Sequence, residues 1–253
     1  MMGAMRYGFV GAGAITVAIV EGLGAEVAEI VLSPRGRGRE LADRFPGVRV
    51  CASNQEVVDS ANVVVLAVRP PDGRAVLEEL VFRPGQVVIS VLAGVGLARL
   101  REWAAPAGHV VRAIPLPQAA RARSLTALYP DHAVARGLFE RVGEVVVPRE
   151  EAALDAFSAA TATFAAHLDY LATIATWMAD HGVDHDAASA YVTHIFGQLG
   201  ESMLAHTGSL AALAEEHMTP GGINEQVLTD LRDGGVPDVV RRALDHVLAR
   251  LRG

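Results

Sequence analysis

Residues 7–16 read Tyr7-Gly8-Phe9-Val10-Gly11-Ala12-Gly13-Ala14-Ile15-Thr16. A short apolar run ends in two glycines separated by one residue, and a helical pattern begins at once. This is the strand–turn–helix pattern that receives the pyrophosphate of a dinucleotide. Gly11 permits the tight turn. Gly13 carries no side chain to hold a diphosphate off the backbone. The N–H groups that open the helix, at Ala14 and Ile15, face the anion with the favourable end of the helix dipole. Thr16 stands where the fingerprint usually has a third small residue, so the reading depends on what surrounds it.

Outward from this turn, apolar runs alternate with helical stretches for about 150 residues, the rhythm of a parallel sheet built from βαβ units. Strands are expected at 7–10, 29–32, 48–51, 63–68, 87–91 and 109–114, and two more runs, 125–129 and 144–147, extend one edge. Most are continuous Val, Ile and Leu, as when helices cover both faces of a sheet. Helices are expected at 15–24, 39–45, 54–60, 71–80, 97–104 and 133–142. Residues 1–5 read as a ragged start without a signal pattern.

After Pro148 the rhythm changes. No strand is expected, and alanine-rich helices break at Gly182, near Gly208 and at Thr219-Pro220-Gly221-Gly222. Residues 151–180 are expected to form one helix of ~45 Å at 1.5 Å per residue. Its apolar positions exceed one face, which points to burial against a second copy. The expected division is therefore a Rossmann-type, mostly parallel α/β domain over 1–149 and an all-α dimerisation domain over 150–253. The assembly would be a homodimer through the C-terminal helices, or a larger assembly built from it.

Composition narrows the function. The chain has 253 residues, a net charge of −7 and 51% hydrophobic residues. No basic stripe suits nucleic acid, and no apolar run reaches the ~18 residues of a membrane span. The single cysteine, Cys51, excludes an internal disulfide and suits a reducing cytoplasm.

Several segments together resemble the pyrroline-5-carboxylate reductase family. Ala61-Asn62-Val63-Val64-Val65-Leu66-Ala67-Val68-Arg69-Pro70 looks like its "DVVFLAVKP", Ile89-Ser90-Val91-Leu92-Ala93-Gly94-Val95 like "ISILAGV", and Val111-Arg112-Ala113-Ile114-Pro115 like "VRVMP". Leu125–Tyr129 and Thr219–Gly222 follow in the same order. The resemblance implies hydride transfer from NAD(P)H to a cyclic C=N bond, at a site between one subunit's Rossmann domain and helices of the dimer domain. It also implies that Ala67, Val68, Arg69 and Pro70 pass beside the ribose and nicotinamide, with Ala93 nearby, and that Asn54 lies near the adenosine ribose. Asparagine is also a good helix N-cap, and the two roles are compatible.

Cofactor choice is read at the end of the second strand, where an acidic residue would bind ribose hydroxyls and repel a 2′-phosphate. Here the chain runs Ser33-Pro34-Arg35-Gly36-Arg37-Gly38-Arg39 without an acid. Ser33 offers a hydroxyl and Arg35 a planar fork suited to phosphate, with Arg37 a weaker candidate, so NADPH is the expected cofactor.

The substrate segments depart from the family. "MPNTP" becomes Ile114-Pro115-Leu116-Pro117-Gln118, so Leu116 replaces an amide, and Arg121 and Arg123 follow where small residues are usual. "SGSGPAY" becomes Thr161-Ala162-Thr163-Phe164-Ala165-Ala166-His167. Thr161 and Thr163 keep the hydroxyls, Phe164 fills space, and His167 replaces tyrosine. "SPGGTT" becomes Thr219-Pro220-Gly221-Gly222-Ile223-Asn224, exchanging a hydroxyl for an amide at Asn224. Pro115, Leu116, Thr161, Thr163, Phe164, Gly222 and Ile223 are thus expected around the substrate. His167, Tyr170 and Asn224 are the expected catalytic groups. Loss of a matched donor shifts discrimination strongly, so the expected substrate is an imine other than pyrroline-5-carboxylate.

Hydride delivery needs a protonated imine nitrogen or a nearby acid, and imidazole titrates in the right range. His167 follows Thr163 at i+4 and precedes Tyr170 by three, so all can share a face. The plainer alternative is an interface His167 and a core Tyr170. His181 and His185 flank Gly182, while His194, His206 and His217 are scattered; no third ligand has convincing spacing, and no metal is expected. Tyr191 and His194 share a helix face and are expected in the dimer core. Three other readings remain: an authentic pyrroline-5-carboxylate reductase, a β-hydroxyacid dehydrogenase, and a non-catalytic NADPH-binding dimer. The second usually carries a lysine in the long helix, and this chain has no lysine.

Overall fold

A computed structural model of the chain describes residues 5–24 and 29–253. The start expected to be ragged lies, in its first four residues, outside the described part. Eight strands form one sheet: β1 (Tyr7–Val10), β2 (Ile30–Leu32), β3 (Val48–Val50), β4 (Val63–Leu66), β5 (Val87–Ser90), β6 (His109–Ile114), β7 (Ser124–Tyr129) and β8 (Gly143–Val146). Their order is β3-β2-β1-β4-β5-β6-β7-β8. The first six run parallel; β7 is antiparallel to β6, and β8 runs parallel to β7. The order reverses between β1 and β4, which makes the crevice at their C-terminal ends the ligand-binding switch point of such sheets.

The central strands β1, β2 and β4 carry no charged residue and are buried along their whole length, because both faces are covered. Phe9, Leu32, Val65, Ile89 and Val111 lie in register on one face, packed under α1 (Ala14–Leu23), α2 (Gly38–Arg44) and α6 (Ala133–Phe139). Val31, Val64, Val88 and Val110 point the other way, under α3 (Asn54–Ser60), α4 (Pro70–Glu78) and α5 (Leu97–Trp103).

The C-terminal part is helical: α7 (Ala152–Thr161), α8 (Thr163–Asp180), α9 (His185–Ala205), α10 (Leu210–Glu216), α11 (Ile223–Asp233) and α12 (Val236–Arg252). The single helix expected over 151–180 is therefore two. Thr163 Oγ1 donates to the Ala160 carbonyl at 2.7 Å, and Ala162 N–H turns back to Ala159 O at 3.1 Å. A threonine hydroxyl competing for a helical carbonyl bends or breaks a helix.

Packing separates the chain into two compact units. One holds the described residues up to Ser158 together with Leu248–Gly253; the other holds Ala159–Val247. The packing boundary thus falls after α7 has begun, beyond residue 149. The sheet unit retains Glu151 and Asp155 because both pair with Arg112 of β6. The helical unit has a very small core, with Ala175, Ala188 and Val192 buried and Leu171, Ile174, Met178 and Phe196 packed against them. Among the described residues, no helix is long and apolar enough to cross a membrane.

Candidate active site

The turn after β1 is held by two side chains, those of Ser33 and Thr16. Gly11 adopts φ +103°, and a Cβ there would lie 2.6 Å from the Ala67 carbonyl oxygen, so only glycine fits beside β4. Its N–H donates to Ser33 Oγ at 2.8 Å. Its carbonyl accepts from Thr16 Oγ1 at 2.7 Å. The departure at Thr16 is therefore a tie: the buried hydroxyl closes the turn from the helix side.

Beyond the turn the backbone is open. A Cβ built on Gly13 meets nothing within 4 Å. Helix α1 has no side-chain N-cap and no acidic residue in its first turn. The first N–H groups of a helix lack intrahelical partners, so the end at Ala14 and Ile15 can accept an anion from outside. These residues fit a diphosphate.

A cleft of about 630 Å³ adjoins the turn, lined among others by Gly11, Ser33, Arg35, Asn54, Val68 and Arg69. Ser33, at the end of β2, is buried and committed within the protein. Its one hydroxyl proton lies between Asn54 Oδ1 at 2.7 Å and Phe9 O at 3.2 Å, while its oxygen accepts from Gly11. Ser33 thus shapes the turn instead of offering its hydroxyl outward. Asn54 is not the N-cap of α3. Ser53 is, accepting from Glu56 N–H at 3.1 Å, which leaves the Asn54 amide at the cleft.

Two guanidiniums line the cleft. Arg69 is paired with Asp72 at 2.8 Å, whereas Arg35 has no carboxylate within ion-pair distance among the described residues. Arg37 is held by both oxygens of Glu40, at 2.8 and 2.6 Å, and Glu40 is kept below the usual carboxylate range by that bond. Arg35 is therefore the guanidinium available to a phosphate. Ala67 follows β4, its N–H on Val10 O at 2.8 Å; Pro70 opens α4; Ala93 is exposed in the loop after β5. None of these three lines the cleft. Sequence reasoning missed Asp72, Ala75, Val76 and Glu79, which also line it. Their helical spacing along α4 was the available signal.

Of the expected substrate residues, Pro115 and Leu116 lie half-buried just after β6, with Leu116 N–H on Ser124 Oγ at 3.0 Å. The others belong to the helical unit. Thr161 ends α7, and Thr163 and Phe164 open α8. His167 and Tyr170 stand on α8 with ring centroids 6.4 Å apart. Both meet Phe196 of α9 edge-on, each at 6.4 Å. Tyr170 and Tyr191 are exposed in this chain, so neither is a core aromatic of the protomer. Phe196 was not anticipated; it sits one turn from Val192 in a helix whose aromatics read as packing.

Phe196 also lines a groove of about 680 Å³ with Met203, Leu213, His217 and Asn224. Asn224, in the first turn of α11, donates its amide to the His217 carbonyl at 2.8 Å. The neighbouring turn is closed by Gly222 N–H on Thr219 O at 2.7 Å, and Ile223 is almost fully exposed. His181 stacks on Trp177, with ring centroids 4.2 Å apart, and bonds its carbonyl. Among the described residues no three His, Cys, Asp or Glu side chains gather as a metal site would require.

Comparison with known proteins follows this layout. Residues 6–94 match the family described as NADP oxidoreductase, coenzyme F420-dependent, and residues 151–253 match the pyrroline-5-carboxylate reductase dimerisation family. A pyrroline-5-carboxylate reductase of Synechocystis is 32% identical over 237 residues, covering 88% of this chain and 84% of that protein. A solved 1-pyrroline-5-carboxylate reductase from Streptococcus pyogenes superposes with a TM-score of 0.85 at 24% identity, over 98% of both chains. A Plasmodium falciparum pyrroline carboxylate reductase solved with NADP bound gives 0.82 at 16% identity, over 100% of this chain and 98% of that one.

Proposed function

This chain belongs to the pyrroline-5-carboxylate reductase family, and we propose that it reduces a small cyclic imine other than pyrroline-5-carboxylate. It is an NADP(H)-dependent oxidoreductase of the class acting on C=N and CH–NH bonds. Its working form in this reading is a homodimer, with residues 1–149 serving the cofactor and 150–253 the substrate and the partner subunit.

NADPH, when bound, supplies the hydride that the imine carbon accepts. The chain's own residues do the rest. The first N–H groups of α1, over the open Gly13, receive the diphosphate, and Arg35 the 2′-phosphate. Asn54 faces the ribose. Ser33 and Thr16 hold the turn that aims these groups. The imine nitrogen takes one proton, so imine, hydride and proton together give the amine. We assign that proton to an imidazole nitrogen of His167, whose ring stands beside those of Tyr170 and Phe196. A cyclic imine that arrives protonated needs no acid.

The observation that carries the altered substrate is Asn224. Its amide is tied to His217 O, where relatives of the resembled pattern present a hydroxyl. Leu116 and Phe164 make the same set of positions less polar. Measured NADPH oxidation across cyclic imines with and without a carboxylate tests the reading. Fastest turnover is expected on an imine other than pyrroline-5-carboxylate. If pyrroline-5-carboxylate is the best substrate, the chain is an ordinary member of its family. If NADPH binds but no imine is reduced, it is a binding protein.

A further inference from the structure

We propose that Glu151 is a positioning residue for the nicotinamide end of the cofactor, acting through the loop 91–96. This rests on the cofactor reading above: with the diphosphate at the switch point and the 2′-phosphate at Arg35 on the β2 side, the nicotinamide half runs the other way, over the C-terminal ends of β4 and β5, where this loop begins. The loop leaves β5 with Val91 N–H on Leu66 O at 3.0 Å and Leu92 N–H on Ser90 Oγ at 3.3 Å. Its far end is the start of α5, whose N-cap is Gly96 and has no capping side chain. The missing cap comes from far along the chain: Glu151 Oε1 accepts from Leu97 N–H at 2.7 Å.

The carboxylate is itself fixed. Arg112, 7% exposed on β6, donates to Glu151 Oε1 at 2.8 Å and to Asp155 Oδ1 at 2.9 Å. Arg252 stands 3.7 Å from the other oxygen of Asp155. Leu251 closes against Gly94, whose built Cβ would sit 3.4 Å from its Cδ2. A buried guanidinium with two carboxylates is costly to assemble and rigid once assembled, so it holds what it touches. Here it touches the end of one loop. Glu151 lines a separate cleft of about 790 Å³ that shares no lining residue with the nucleotide cleft. It therefore acts on the loop and not on the residues that line the nucleotide cleft.

Two ligands separate this role from general support of the fold. NADPH engages both ends of the nucleotide site, whereas 2′,5′-ADP engages only the adenosine end. In the full-length protein, Glu151→Ala is expected to weaken NADPH binding about tenfold and to abolish the change in nicotinamide fluorescence on binding, with 2′,5′-ADP affinity altered less than about twofold. Glu151→Gln, which keeps an acceptor for Leu97 N–H, is expected to restore NADPH binding and the fluorescence change. If Glu151→Ala does not fold, Glu151→Asp, whose shorter chain withdraws the acceptor, carries the same expectation. Equal weakening of both ligands, or no change in either, overturns the proposal. Failure of the unmutated protein to bind NADPH overturns the cofactor reading, and this proposal with it.

Discussion

At the scale of single residues, the structure separates groups open to the cleft, such as Arg35, from groups tied up in the turn, such as Ser33 and Thr16. Gly11→Ala brings a Cβ against Ala67 O in a left-handed backbone, a strain of about 1–3 kcal/mol. Urea denaturation is expected to show that loss, and NADPH titration a loss of binding. Arg35→Ala is expected to weaken NADPH about tenfold while leaving NADH nearly unchanged, since the charge-assisted bond to the 2′-phosphate is the difference between the two. Equal effects on both dinucleotides would remove Arg35 from phosphate recognition. An Arg35 side chain at the cleft was legible in the sequence, because a strand end followed by arginine and not by an acid is a local pattern. The commitment of Ser33 was not, because its partner Asn54 lies on another element and only the fold brings them together.

His132 belongs to this scale too. It occupies the N-cap position of α6 without a capping side-chain bond, beside His109, with ring centroids 4.8 Å apart. Burial lowers its pKa from 6.5, and the neighbouring His109 charge lowers it further. The unfolded chain therefore binds the proton more readily than the native one, and native stability falls as pH drops through 6.5 toward the depressed value. Melting temperature is expected to decline from pH 7.5 to 5.5, and His132→Gln to flatten that decline. An unchanged slope in the variant would assign the acid sensitivity to other groups.

At the scale of elements, the central strands were read closely because both their faces are covered, leaving runs of Val, Ile and Leu. The helix break at Ala162 escaped notice. Alanine-rich flanks carry the helical period straight through, and the interruption depends on where one threonine hydroxyl points. The tie between β6 and α7 was equally hidden, since Arg112, Glu151 and Asp155 meet only after the sheet forms. Removing the buried cation strands two carboxylates. Arg112→Ala is accordingly expected to cost about 3 kcal/mol in urea unfolding. A loss below about 1 kcal/mol would mean that water replaces the guanidinium freely.

At the scale of the whole molecule, the two units are unequal in what they bury. The sheet unit has two full cores. The helical unit buries little more than Ala175, Ala188 and Val192, while Leu168, Trp177, Tyr191, Leu204 and Leu210 stay exposed. So much apolar surface on so small a core marks an association face. Sedimentation at micromolar concentration is expected to give a dimer or a multiple of it. Leu168→Glu combined with Leu204→Glu should weaken association at least about tenfold. A monodisperse monomer in the unmutated protein would contradict this. Substrate choice is also tested at this scale, in the assembled enzyme. Leu116→Asn together with Asn224→Thr is expected to raise kcat/KM for pyrroline-5-carboxylate by about tenfold or more. No gain would show that the selectivity lies elsewhere.

The Gly11–Ser33–Asn54 chain of hydrogen bonds has a practical corollary for redesign. In the proposed reading, one wired set of atoms serves both halves of the dinucleotide. An aspartate at position 33, the obvious change for welcoming the unphosphorylated coenzyme, would set its carboxylate against Asn54 Oδ1 and the Phe9 carbonyl. The purine-side edit would then unsettle the diphosphate side as well. Retuning toward NADH has to start from Arg35, which can change without pulling on the turn.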